Sequence, residues 1–69
     1  MSVSAIDPSE VRNEAVELIK GPVNSNTIAR AEILLGKLND IKRKHPGLSG
    51  PAENLKSQLK AAFPQAVEP

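Results

Sequence analysis

Apolar residues recur at helical spacing in three stretches of the chain, and the longest runs from Thr27 to Lys44, TIARAEILLGKLNDIKRK. There Ala31, Leu34, Leu38 and Ile41 follow one another at intervals of three, four and three, and Ile28 and Leu35 widen the stripe. A second, smaller set on the same segment, Ala29, Ile33 and Gly36, falls on another side of the helix. A segment apolar on two sides has more surface to cover than a small monomer easily covers, so the pattern predicts docking on a partner.

Two shorter periodic stretches flank it. Asp7-Pro8-Ser9-Glu10 reads as a helix start, with Asp7 as cap, Pro8 at the first helical position and Glu10 at the reciprocal capping position. Val11, Ala15, Leu18 and Ile19 would face inward, with Val16 at the edge. Gly21-Pro22 ends this helix, glycine being free to take a left-handed cap conformation. Asn24 or Ser25 caps the next helix, and Pro46 stops it at Lys44 or His45. Lys42, Arg43 and Lys44 then lie at the negative end of its dipole, and Asp40 and Lys44 can pair across one turn. A third helix is predicted to start at Gly50-Pro51, with Glu53 in its first turn and Ala52, Leu55, Leu59, Ala62 and Phe63 inward, and to stop at Pro64. Leu48 in the intervening loop is expected to plug the core. No alternating pattern suggests a strand.

The expected fold is therefore all-α: a small three-helix domain over residues 7–63, its central amphipathic helix the longest. Residues 1–6 are expected to form a flexible arm and residues 64–69 a frayed tail. With 69 residues the chain holds one domain, and one of this size is marginally stable by itself. It contains no cysteine and one histidine, His45, so neither a disulfide nor a zinc site is expected. An added interface is the remaining way to reinforce so small a core.

Composition narrows the function. The one aromatic residue, Phe63, cannot make a stacking platform for single-stranded nucleic acid. The net charge of +1 demands neither nucleic acid nor an anionic membrane. Neither a signal peptide nor a run of about 20 apolar residues is visible, so no membrane partner and a cytoplasmic location are expected.

No constellation for catalysis stands out. His45 sits at a helix end between Lys44 and Pro46, and Glu10, Glu14 and Glu17 share a helix flank that reads as a solvated face. The four glycines are scattered and form no phosphate loop. The chain is thus expected to be no enzyme and to need no cofactor or metal.

Two binding readings remain. In the first, Ala29, Ile33 and Gly36 contact another protein or a second copy of the chain, with Arg30 and Lys37 at the rim. Small residues at that spacing let another helix approach closely, and a glycine inside a helix costs about 1 kcal/mol relative to alanine and so asks for a reason. This describes a small adaptor, chaperone-like or regulatory protein. In the alternative, Gly21 to Arg30 has the texture of a helix-turn-helix, with Ser25, Asn26, Thr27 and Arg30 reading duplex DNA. Glu17, four positions before Gly21, stands where that motif wants a small residue, and Pro22 lengthens the turn.

Overall fold

The computed structural model describes residues 7–68. Three helices follow in order: α1 over Pro8–Lys20, α2 over Ser25–Lys44 and α3 over Ser49–Ala62, with a single 3-10 turn at Pro46–Leu48 before α3. Among the described residues there is no strand. The expected arm, residues 1–6, lies outside the described residues.

Each boundary has a local cause. The Asp7 carboxylate accepts a hydrogen bond from the Ser9 N–H at 3.0 Å, which fills one of the donors a helix start leaves open. Gly21 closes α1 by donating its N–H to the Leu18 carbonyl at 3.1 Å. It does so with φ −89° and ψ −175°, not in the left-handed conformation expected of it. Pro22 is the reason, since a residue before proline is driven to extended geometry.

Asn24, rather than Ser25, caps α2. Its side-chain oxygen accepts from the Thr27 N–H at 3.0 Å, and the Thr27 hydroxyl accepts from the Asn24 N–H at 2.8 Å, a reciprocal capping box. At the far end the His45 N–H reaches the Ile41 carbonyl at 2.7 Å, and Pro46 halts the helix as expected.

The third helix begins earlier than its sequence suggests. The 3-10 turn runs straight into Ser49, which is already helical at φ −64° and ψ −33°. Pro51 is consequently the third helical residue, where its missing N–H costs nothing, and Gly50 lacks the Cβ that would crowd the proline ring. Glu53 thereby moves out of the first turn. Leu48 differs from expectation as well: as the last residue of the 3-10 turn it stays on the surface, 38% exposed, at the mouth of a cleft.

The core follows the inward stripes. Val11 and Ala15 come from α1, Ala31, Leu34, Leu35, Leu38 and Ile41 from α2, and Ala52 and Leu59 from α3, with Phe63 fully buried beyond its end. Leu18, Ile19, Ile28, Leu55, Ala62 and Ala66 pack around them. One buried residue on the inward side of α3 is charged: Lys56, 7% exposed.

Residues 64–68, expected to fray, instead turn back and lie against α2 and α3. The Ala66 N–H bonds the Phe63 carbonyl at 3.0 Å, and the Val67 N–H bonds the Glu32 carboxylate on α2 at 3.0 Å. Glu68 then reaches Lys56. Ala66 is the strap's contact with the core, and Val67 points away from it, 69% exposed.

Candidate interaction surface

The outer side of α2 is set by the inner one. Helical geometry advances about 100° per residue, so a face buried through Ala31, Leu34, Leu35, Leu38 and Ile41 leaves Ala29, Ile33, Gly36 and Asp40 roughly opposite. Ile33 is 53% exposed in the middle of this outer strip. Ala29 is exposed and Gly36 is half-buried. The three residues singled out in the sequence therefore share one surface strip, and neither α1 nor α3 covers Ile33.

The rims are polar. On the α1 side lie Arg30, which is exposed, and Lys37, whose ammonium is 4.0 Å from the Glu14 carboxylate. Glu10 and Glu17 are likewise exposed on α1, as a solvated acidic flank should be. At the C-terminal end of the strip Asp40 pairs with Arg43 at 2.6 Å and with Lys44 at 3.3 Å, the second being the pair expected from sequence. The hydrogen bond from Arg43, aided by Lys44, holds the Asp40 carboxyl below its ordinary range. On the α3 side the rim is Glu32 and Asn39, both engaged with the strap.

The strap adds a residue that the sequence reading did not include. The Val67 N–H is fixed to Glu32 on the rim of the strip, and the Val67 side chain is exposed. Nothing local in the sequence signals this, since the contact spans 35 positions.

Beneath the strap lies a polar cluster that was also missed. The Lys56 ammonium donates to Glu68 Oε2 at 2.6 Å and to Asn39 Oδ1 at 2.7 Å, and lies 4.0 Å from Glu53. Asn39 Nδ2 donates to Glu68 Oε2 at 3.0 Å, and Lys60 donates to Glu68 Oε1 at 2.9 Å. The hydrogen bonds from Lys56, Lys60 and Asn39 bring the Glu68 carboxyl down to about 2, and the bond Lys60 donates to Glu68 raises the Lys60 ammonium. Glu53 is itself held below its ordinary range by Lys42, which donates to it. A sequence signal for Lys56 did exist: Ala52, Lys56, Leu59 and Phe63 follow at intervals of four, three and four, so Lys56 lies in the inward register of α3.

Of the four residues of the DNA-reading alternative, three are exposed and one is engaged by the helix cap. Ser25 and Asn26 are exposed at the start of α2, and Arg30 lies one turn on. The Thr27 hydroxyl accepts from the Asn24 N–H and donates to the Asn24 carbonyl at 3.0 Å, so it is used by the cap. His45 is exposed at the end of α2. Among the described residues no group of three or more histidine, cysteine or acidic side chains could hold a metal ion, and no helix is long and apolar enough to cross a membrane.

An open apolar cleft of about 190 Å³ lies between the first turns of α1 and α3, lined by Leu38, Ile41, Leu48 and Leu55 with Arg12 at its edge. Comparison with known proteins gives no match to a family model, a curated protein or a solved structure.

Proposed function

We propose that this chain is a non-catalytic protein-interaction module, of the adaptor, chaperone-like or regulatory kind, that docks an apolar helical segment of a partner protein on the outer strip of α2. The reading rests on Ile33, a large apolar side chain 53% exposed at the centre of the longest helix, on a strip with Ala29 and Gly36. Ala29 and Gly36 keep the backbone of α2 accessible on either side, so a partner helix can approach closely around Ile33. Val67, exposed and tied by its N–H to Glu32 on the α3-side rim, would add apolar surface on one side. Arg30 and Lys37 on the other side would set orientation and association rate toward a partner with acidic residues beside its apolar face.

The test is affinity capture from native extract at low and high salt, with wild type and with Ile33→Asp, and Val23→Asp as the control for an exposed apolar residue elsewhere. A partner retained at high salt by wild type and Val23→Asp but lost with Ile33→Asp is the expected result. Equal capture by all three forms refutes the strip. Light scattering on the same samples shows whether the partner is a second copy. Capture of duplex DNA that falls steeply with salt and depends on Arg30 would put the helix-turn-helix alternative first.

A further inference from the structure

We propose that the groove between α2 and α3 is a receptor for an acidic peptide segment, and that residues 64–68 occupy it as a built-in, displaceable ligand. This groove borders the Ile33 strip and shares Glu32 and Asn39 with its rim, but the proposal does not rest on that strip being used.

Three donors from two helices converge on one carboxylate. Lys56 at 2.6 Å and Asn39 at 3.0 Å serve Oε2 of Glu68, while Lys60 at 2.9 Å serves Oε1. Charge-assisted bonds to both oxygens make a specific carboxylate site. One residue earlier, Glu32 takes the peptide N–H of Val67 at 3.0 Å, and one residue before that Ala66 packs on the core. The groove thus reads a small residue, any residue, then a glutamate, partly through backbone.

The occupant is held by polar contacts more than by apolar ones. Pro64, Gln65 and Val67 are exposed, and Ala66 is a small, half-buried anchor. Such a segment can open by itself while the helices stay folded. The lysine beneath it supports the same conclusion. A buried ion pair contributes little net stability compared with apolar packing. With the strap open, Lys56 would keep Asn39 and the more distant Glu53, and Glu53 is already engaged by Lys42. The three donors that serve Glu68 lose their shared acceptor when the strap opens, and this sets the chemistry of an incoming partner as acidic.

The test uses the full chain and its Glu68→Gln variant, followed residue by residue by NMR. In the variant, hydrogen exchange at the Val67 amide should speed up at least tenfold, while the amides of Leu34, Leu35 and Leu38 keep their wild-type rates. A synthetic copy of residues 64–68, blocked at both ends, should then shift the Asn39 side-chain amide and the α3 amides from Lys56 to Lys60 in the variant. It should bind wild type at least tenfold more weakly, because the strap competes at high effective concentration. The same peptide with glutamine for glutamate should not bind, and Lys60→Gln in the Glu68→Gln background should weaken the peptide. If core and strap amides accelerate together, the strap is an integral part of the fold and the proposal fails. It fails equally if Val67 exchange is unchanged, or if the acidic peptide leaves the Asn39 and α3 signals where they were.

Discussion

Ile33 and Leu34 are neighbours on α2 with opposite surroundings, 53% and 0% exposed, and truncating each to alanine separates surface from core. A fully buried isoleucine is worth about 1.5–3 kcal/mol, so a half-exposed one holds roughly half of that, and alanine retains part of the remainder. The loss at Ile33 is then about 0.5–1 kcal/mol. Alanine returns roughly 0.4 kcal/mol through its better helix propensity. The net cost of Ile33→Ala should thus be at most about 0.6 kcal/mol. Leu34→Ala removes the same kind of side chain from a closed core and leaves a cavity, for about 2–5 kcal/mol. A domain of this size has a total stability of roughly 3–10 kcal/mol, so the second change takes a large part of it. Urea titrations followed by helical circular dichroism measure both. An Ile33→Ala cost approaching that of Leu34→Ala would refute the reasoning, because Ile33 would then be covered within the monomer and would have little surface left to offer a partner.

Three further predictions follow from the helix ends, the 3-10 turn and the strap. Asn24→Ala removes the acceptor for the Thr27 N–H and should cost about 1 kcal/mol in the same urea titration, whereas Ser25→Ala should change stability much less. Gly47→Ala should stabilise by about 0.4–1 kcal/mol, since Gly47 does not use a positive φ and an added Cβ meets open space; a raised midpoint in thermal unfolding checks it. Acid should loosen the strap in a defined direction. The Glu68 carboxyl is depressed from 4.5 to about 2, so its contribution is complete above the unfolded-state value and is lost as the pH falls from about 4.5 toward 2. The NMR signal of the Asn39 side-chain amide, which donates to Glu68, should show this loss at low pH in wild type and not in Glu68→Gln.

The helices were legible because each is specified within a few residues of itself. Asp7-Pro8 and Asn24 with Thr27 satisfy helix starts locally, Pro22 and Pro46 stop helices locally, and the period of α2 names its five buried residues without reference to α1 or α3. The misplaced details came where two local rules competed. Gly21 offers a left-handed cap, but the proline after it demands extended geometry, and the proline wins. Gly50-Pro51 looks like a helix start, yet the 3-10 turn at Pro46–Leu48 delivers a helical backbone at Ser49 first, which also keeps Leu48 at the surface.

The strap was illegible for a different reason. Its contacts join Val67 to Glu32, and Glu68 to Asn39 and Lys56, across 35, 29 and 12 positions, and no periodicity links such residues. A short polar segment after a proline carries the composition of a loose end, and only the partner groups on two other elements make it an ordered one. Half of that information was nevertheless present in α3. Lys56 occupies an inward position, and a buried ammonium requires acceptors. Asn39 supplies one, and Glu53, 4.0 Å away, is engaged by Lys42. Glu68, from outside α2 and α3, supplies the charged acceptor closest to Lys56. A groove completed by a carboxylate from elsewhere is satisfied by any segment that delivers one in the right geometry, which is why the same contact that orders the strap also gives an acidic partner a place to compete.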